Sequence, residues 1–394
     1  MKYFSILFCL FLLCCTSGCK KHTNDDSSNI EIIHVDVNNS TSSIDLSPFL
    51  QDEVDIIALE TNDSCLVSEI LKVEFYEDNI FISDRTSKCI YRFASSGKFI
   101  NKIGQLGGGP EEYVSLGDFN VIDDLIYLHD ERSGTGKIIV YAFDGTFIKT
   151  ITPSIAISFD EFVNIDNKLF FVTNYTGTEI GYYNIYDMDL STGKMNGFLP
   201  YDKSIESEQQ KWGLNKFISG CKNSALVIFS NNDLIYSISS GEINPKYKVQ
   251  FSDRNLPKEE IKKGGTHAMA TALSKGYILG MENINNSENY LFFTFSDGSK
   301  GRSVFYDKVN KKNYVSDWLI VKSLGDLYGT GCFTSNNEFA IIQDAYLYRH
   351  LWEGQYSEFG FKSEKDKQRM LDIYNSIIDD DNPVLFRFKF KNNN

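Results

Sequence analysis

Short runs of apolar residues, bounded by polar turns, recur along most of the chain. Six of these runs resemble one another in their aliphatic and aromatic content, and such runs are predicted to be β-strands. The six copies are Ile80–Asp84, Leu125–Asp130, Leu169–Asn174, Ala225–Phe229, Tyr290–Phe295 and Glu338–Gln343. An internal repeat of this kind indicates an architecture built from copies of one unit.

A glycine turn between two strands repeats with the same period. The glycines are Gly97, Gly145, Gly193 and Gly241, each 48 residues after the one before. Glycine supplies the positive φ that a tight hairpin requires. A repeat of about 40–50 residues that holds four short strands is typical of a β-propeller blade. The alternative is that similar glycine hairpins occur by coincidence in another all-β fold.

The length of the repeated region predicts the number of blades. Two stretches, Leu256–Gly276 and Ser363–Asp381, break the period and have helical composition and spacing. Without these insertions, the region from Val54 to Phe390 corresponds to about six periods. We therefore predict an all-β, six-bladed propeller with four-stranded blades and two helical insertions, with seven blades as the alternative.

The two ends of the repeated region are predicted to share one blade. The last copy continues through the second insertion to Pro383–Phe390 and lacks a fourth strand, which Val54–Leu59 can supply. An N-terminal strand that completes the C-terminal blade would close the ring and remove an exposed sheet edge.

The first residues resemble an export signal rather than part of the fold. Lys2 precedes the apolar segment Tyr3–Cys15, which at 13 residues is shorter than the ~20 needed to span a membrane. Thr16–Cys19 (TSGC) resembles a lipoprotein lipidation motif, with Thr16 where Leu is usual. We predict a signal peptide at 1–18, lipidation of Cys19, a polar tether at 19–43 and the propeller at 44–394. The alternative is simple secretion, with Cys19 as a free thiol.

Composition and charge narrow the possible partners. The formal net charge is −14 and aromatic residues make up 14% of the chain. An acidic surface repels phosphate backbones, so no nucleic-acid partner is expected. The four cysteines beyond the predicted lipidation site have no zinc-type spacing and are expected to include buried, inert thiols. They are Cys65, Cys89, Cys221 and Cys332.

Four motifs together resemble those of a six-bladed β-propeller lipoprotein family of Gram-negative bacteria, which is similar to NHL-like and TolB-like propellers. The motifs are Ala58–Thr61, Gly97–Gly104, Gly107–Tyr113 and Asp381–Leu385. The resemblance covers nearly the whole mature chain. It implies a propeller fold and a location in the cell envelope, lipid-anchored at the outer or the inner membrane and facing either the periplasm or the cell surface. It implies no chemistry, because that family is largely uncharacterised.

The long connecting segments are predicted to lie on one face of the ring. With blade strands lettered A to D from the centre outward, these segments are D–A or B–C links, which emerge on the same side. Binding residues are commonly found on loops held by a rigid scaffold. The candidate ligand-binding residues on this face are Arg85, Glu111, Glu112, Tyr113, Arg132, Trp212, His267 and Trp352.

Two specific functional hypotheses remain open from the sequence, besides that of a purely structural subunit of an envelope assembly, which predicts a broad apolar patch on an outer blade surface. The favoured one is a non-enzymatic binding module for a glycan, a peptide or an envelope protein, because aromatic, arginine and carboxylate side chains suit such ligands. The other is a lyase or hydrolase with a metal-assisted site in the central channel, since similar propellers host both kinds of function. No catalytic or metal-binding motif is recognisable and no cofactor is identified. Asp123–Asp124 and Asp379–Asp381 could hold calcium, although solvated turns are the simpler interpretation.

Overall fold

The computed structural model describes residues 30–203, 216–229, 232–298, 300–333, 338–356 and 360–391. Six blades, each built around four antiparallel strands, form the predicted propeller ring. Three N-terminal strands precede the first blade: β1 (Glu31–Val35), β2 (Thr41–Asp45) and β3 (Leu50–Ala58).

The remaining strands follow in blade order. Blade 1 contains β4 (Ile70–Tyr76), β5 (Asn79–Asp84), β6 (Cys89–Ala94) and β7 (Phe99–Ile103). Blade 2 contains β8 (Leu116–Ile122), β9 (Leu125–Asp130), β10 (Ile138–Ala142) and β11 (Phe147–Ile151). Blade 3 contains β12 (Glu161–Ile165), β13 (Lys168–Val172), β14 (Tyr183–Asp189) and β15 (Met195–Pro200).

Blade 4 contains β16 (Ile218–Cys221), β17 (Ser224–Val227), β18 (Leu234–Ser239) and β19 (Glu242–Phe251). Blade 5 contains β20 (Ile278–Asn286), β21 (Tyr290–Asp297), β22 (Lys300–Asp307) and β23 (Lys312–Ile320). Blade 6 contains β24 (Thr330–Phe333), β25 (Glu338–Gln343) and β26 (Val384–Phe390), with β3 as its outer strand.

The sequence repeat corresponds to one structural position in every blade. All six predicted copies are the second strand of a blade, namely β5, β9, β13, β17, β21 and β25. The four periodic glycines lie in the turns between the third and fourth strands of blades 1 to 4, each with a φ between 70° and 89°. In blade 5 the corresponding turn uses Lys311 at a φ of 52°, so the glycine signal ends there although the turn persists.

Closure of the ring follows the prediction. β3 pairs antiparallel with β26, from Val384 opposite Ala58 to Phe388 opposite Val54. The strand begins at Leu50, four residues earlier than predicted. The first and last parts of the repeated region therefore share one sheet, which leaves no gap between blades 6 and 1.

Residues 31–58, which we call the N-terminal strap, cross three blades. β1 pairs in parallel with β19 at the outer edge of blade 4, and β2 pairs in parallel with β23 at the outer edge of blade 5. The predicted tether at 19–43 is therefore wrong for residues 30–43, which belong to the fold; its earlier part lies outside the described residues. The alternation of Ile33, Val35 and Val37, each at most 2% exposed, with exposed residues explains why this segment packs as a strand.

In the part of the chain that the structure describes, four α-helices lie in the links between strands. α1 (Lys258–Ile261) and α2 (Gly265–Lys275) form the first predicted insertion, and α4 (Glu364–Ser376) forms the second. The sequence pattern missed α3 (Ala345–Leu351), which leads from β25 into a π-helical turn at Trp352–Tyr356. We call the side of the ring that carries links 105–113, 252–277 and 344–383 the linker face. Among the described residues, no helix is both long enough and apolar enough to cross a membrane.

The hydrophobic core is divided into layers between neighbouring blades. Phe81 of blade 1, for example, packs with Ile126 and Leu128 of blade 2, and none of the three is exposed. Burial of such side chains contributes roughly 1.5–3 kcal/mol each. Three cysteines, Cys65, Cys89 and Cys221, are buried free thiols whose pKa is raised by burial, in agreement with the expectation of inert thiols.

Candidate binding site

The innermost strands of the six blades surround a central channel. Residues of β4, β8, β12, β16, β20 and β24 line one continuous cavity of about 2140 Å³. The lining includes residues at both ends of these strands, such as Ser68 and Tyr76 of blade 1 and Val114 and Asp123 of blade 2. The cavity therefore runs through the thickness of the ring and opens on the linker face.

Acidic side chains in the channel satisfy the backbone of the next blade. An innermost strand has one unpaired edge, whose amide groups need acceptors. Glu74 accepts a hydrogen bond from the amide of Val121 at 3.0 Å, and Asp118 accepts one from the amide of Phe162 at 3.1 Å. These carboxylates couple blade 1 to blade 2 and blade 2 to blade 3, so their first role is structural.

Glu161 repeats this arrangement between blades 3 and 4 and has an altered acidity. It accepts hydrogen bonds from the amides of Phe217 and Ile218 at 2.5 and 3.0 Å. Burial and the nearby charge of Asp118 raise the pKa of Glu161 to about 7, against the lowering effect of Lys216 and the Phe217 amide. Protonation of this channel carboxyl therefore changes near neutral pH.

Lys72 balances the negative charge on this side of the channel. Its Nζ lies 2.9 Å from both Glu74 and Asp118, and its side chain is 28% exposed. Burial disfavours the charged ammonium group, but Asp118 and Glu74 outweigh this effect and raise the pKa of Lys72. Lys72 consequently stays protonated across the physiological range, and the channel wall combines both signs of charge at fixed positions.

The cavity extends outward between blades 5 and 6. We call this extension the cleft and define it by Thr294, Ser296, Ser303, Trp318, Tyr328 and Leu347. Trp318 is 62% exposed, and its ring centroid lies 6.3 Å from that of Tyr328. The cavity therefore joins a polar channel to an aromatic cleft, in which Trp318 is available for contact with a ligand.

Buried acids at the ends of the second strands hold the links of the linker face. Asp84 Oδ1 accepts hydrogen bonds from the amides of Ser68 and Glu69 at 2.9 and 2.6 Å. Asp130 Oδ1 accepts from the amides of Val114 and Ser115, both at 3.1 Å. Burial acts to raise the pKa of Asp84, but the amide donors, that of Ser87 first, outweigh it and lower the pKa. These contacts fix the mouth of the channel.

Two of the predicted site residues line this cavity. Arg85 forms an ion pair with Glu69 at 3.0 Å, and Arg132 is exposed. The ion-pair partner of Arg85 is thus Glu69 rather than its sequence neighbour Asp84.

The predicted residues of link 105–113 serve mainly to hold that link. Tyr113 is fully buried and donates a hydrogen bond to the carbonyl of Lys88 at 2.5 Å. Glu112 accepts one from the amide of Gly109 at 2.9 Å, and the carbonyl of Glu111 accepts one from Tyr141 at 2.6 Å. Tyr113 is therefore a packing residue rather than a ligand contact.

The remaining predicted residues lie away from the cavity or outside the described part of the chain. His267 on α2 bonds Glu260 at 2.6 Å and does not line the cavity. Trp352 is 6% exposed and packs on Phe361 and Tyr374, where it anchors the insertion. Trp212 and Cys19 lie outside the described residues.

The acidic turns considered for calcium make other contacts. Asp124 accepts a hydrogen bond from the Tyr76 hydroxyl at 2.9 Å, and Asp379 pairs with Arg349 at 2.8 Å. Across the described ranges, no three His, Cys, Asp or Glu side chains are placed to hold a metal ion together.

Comparisons with known proteins agree with this fold. A family model described as Domain of unknown function (DUF4934) matches residues 30–389. A crystal structure of a Bacteroides fragilis protein described as a "putative exported protein" has a TM-score of 0.73 and 19% identity, covering 92% of this chain and 100% of that chain. A member of the duf4221 family from Bacteroides vulgatus has a TM-score of 0.51 and 10% identity, covering 88% and 98% of the two chains. At these identities the likeness shows the fold alone. No curated protein matches the sequence.

Proposed function

Because the chain belongs to the Domain of unknown function (DUF4934) family, whose description names no activity, we propose a function from the geometry of the site. The protein is a binding module that receives a glycan, a peptide or an envelope protein on its linker face. The observation that carries this proposal is the continuous cavity of about 2140 Å³, which joins the channel to the cleft beside Trp318.

The wall of the cavity is suited to binding because its polar groups are already held in place. Glu74, Asp118 and Glu161 are fixed by backbone amides of the following blade. A wall that does not reorganise loses little conformational entropy when a ligand binds. Arg85 and Arg132 at the mouth can orient polar groups of a ligand, while Trp318 offers an apolar surface.

Binding through the cavity is tested by filling its mouth. Val114 is 56% exposed and lines the cavity, so Val114→Trp should obstruct the opening without disturbing the core. Ile148 on the outer strand of the same blade is 46% exposed, and Ile148→Trp is the matched control. We expect the wild type and the control to bind members of an array of neutral glycans, acidic glycans and peptides, and Val114→Trp to lose that binding. Equal binding by both variants, or no binding by the wild type, would contradict the proposal.

We also propose that the protein is exported and anchored by a lipid on Cys19. The signal-like segment Tyr3–Cys15 and the TSGC motif support this, as does the description of the Bacteroides fragilis protein with the same fold as exported. Expression in a Gram-negative host with a palmitate analogue should label the wild type in the membrane fraction. Cys19→Ala should abolish the label, and a label that persists would refute lipidation at this residue.

A further inference from the structure

We propose that the cleft between blades 5 and 6 is a subsite for a neutral sugar, which stacks on Trp318 and places its hydroxyl groups against blade 5. This inference deepens the proposed binding function and rests on it. It assigns one class of ligand to the cleft, whereas the sequence alone left the ligand open among glycans, peptides and proteins.

The first support is the exposure of Trp318. Trp352, the other tryptophan in the described residues, is 6% exposed, whereas Trp318 is 62% exposed and borders the cavity. Its ring lies 6.3 Å from that of Tyr328, at an interplanar angle of 56°. An indole held beside a concave opening presents a flat apolar surface, which suits the C–H face of a sugar ring.

The second support is a row of hydroxyl groups on the same face of blade 5. Thr294 lies opposite Ser303, and both line the cavity; Ser316, opposite Ser303, is fully buried and donates its hydroxyl to the carbonyl of Trp318. Because side chains of a strand alternate between faces, Trp318 lies two residues beyond Ser316 on this same face. Neighbouring positions along one face of a strand are roughly 7 Å apart, so one ligand ring on Trp318 comes within reach of the hydroxyl row.

The third support is open space above this part of the sheet. Ser296 lies opposite Gly301, and a Cβ atom placed on Gly301 would meet nothing within 4 Å. Four residues from Ser296 along the strand, the same face instead carries Phe292 opposite Phe305, which in turn lies opposite Tyr314, and these rings pack toward blade 6. The sheet face therefore changes from a packed aromatic row to a row in which Ser296, Thr294 and Ser303 line the cavity.

The charges around the cleft favour a neutral ligand. Arg302 is paired with Asp297 at 2.8 Å and with Asp317 at 3.1 Å. Asp344 accepts a hydrogen bond from the amide of Leu347 at 2.6 Å, where it caps α3. Lys300, opposite Asp297, also borders the cavity, but it lies on the face of the sheet that turns away from the hydroxyl row. The row and the indole thus provide neutral hydrogen-bonding groups beside an apolar surface, the combination that a neutral saccharide requires.

The test compares cleft variants on an array that carries neutral oligosaccharides, sulfated and uronic acid oligosaccharides, and peptides. Trp318→Ala should weaken binding of the neutral oligosaccharide that binds best by about tenfold or more, because truncation of a central tryptophan commonly removes that much affinity. Trp318→Phe should lose less, and Ser303→Ala should reduce affinity a few-fold. Val309, 55% exposed in the turn before β23, provides the control Val309→Ala, for which affinity should not change. Titration calorimetry gives the dissociation constants, and circular dichroism checks that each variant is folded.

Failure of this inference is distinguishable from failure of the proposed function. If acidic oligosaccharides or peptides bind, and Val114→Trp abolishes that binding while Trp318→Ala does not, the cavity binds ligands but the sugar subsite is refuted. If neutral oligosaccharides bind equally well to the wild type and Trp318→Ala, the subsite is also refuted. If no member of the array binds the wild type, both proposals fall.

Discussion

Asn382 closes the ring by holding a link that is far from it in sequence. Its side chain is 1% exposed. The Oδ1 atom accepts a hydrogen bond from the amide of Val67 at 2.7 Å, and Nδ2 donates to the carbonyls of Glu60 and Cys65 at 2.7 and 2.6 Å. The link from β3 to β4 is thereby fixed to the start of β26. We predict that Asn382→Asp strongly destabilises the fold although it preserves the size of the side chain.

The magnitude follows from the three backbone groups involved. The introduced carboxylate can still accept from Val67, but it faces two carbonyl oxygens where the native amide donated. A buried polar group left without a partner costs about 1–3 kcal/mol, and the carboxylate adds electrostatic repulsion. We expect a loss of about 3–5 kcal/mol in the free energy of unfolding at neutral pH. Asn382→Leu should lose a similar amount without any dependence on pH.

Urea unfolding, followed by circular dichroism and fluorescence, measures this loss. In Asn382→Asp, burial and the two carbonyls raise the folded pKa of the introduced carboxyl, so the destabilisation should grow as the pH rises through that value. Asn39 is exposed, and Asn39→Asp should change stability by less than about 0.5 kcal/mol. An Asn382→Asp variant as stable as this control would refute the reasoning.

Three further predictions concern other parts of the fold. The folded pKa of Glu161 lies near 7, above its ordinary value of 4.5, so its contribution to stability is lost as the pH rises through 7. The urea midpoint of the wild type should therefore fall between about pH 5 and about pH 8, and in Glu161→Gln it should fall less over this range. Gly97→Ala would place a Cβ atom 2.1 Å from a backbone carbonyl oxygen, whereas the Cβ atom of Gly193→Ala would meet nothing within 4 Å. Both glycines have a positive φ, so both substitutions should lower the thermal midpoint, and Gly97→Ala should lower it further. Leu46 in the strap is fully buried, so Leu46→Ala should lower the free energy of unfolding in urea by about 2–5 kcal/mol. Leu66 is 53% exposed, and Leu66→Ala should have little effect. A loss for Leu46→Ala as small as that for Leu66→Ala would show that Leu46 does not contribute to the hydrophobic core.

The architecture could be predicted because its signals are local. A turn at Gly97 or Gly145 needs a positive φ wherever a third strand meets a fourth, and these turns recur once per blade. The second strand of each blade is buried on both faces, so its sequence is apolar in every copy. The order of strands within a blade then predicted that the D–A and B–C links lie on one face of the ring. This prediction required no knowledge of side-chain contacts.

The strap and the cleft were missed for different physical reasons. The alternation of Ile33, Val35 and Val37 was visible in the sequence, but the polar composition around it favoured a tether, and parallel pairing with β19 leaves no local turn signal. Trp318 was missed because a tryptophan within a strand resembles a core residue. The signal that could have found it is the polar break that Thr294 and Ser303 make in two otherwise apolar strands, since serine and threonine are mostly exposed residues.

The interface between blades 5 and 6 has two parts, and their arrangement explains how a cleft can exist within a packed ring. Phe49 of the strap packs on the aromatic row, with ring centroids 5.7 Å from Tyr290, 4.9 Å from Phe305 and 5.7 Å from Tyr314. These three rings belong to blade 5, and Phe390 of blade 6 lies 4.7 Å from Tyr290, so aromatic contacts join the two blades without the hydroxyl row having to pack against blade 6. The cleft can therefore stay open without loosening the ring, and a ligand on Trp318 would meet a wall that is already in position.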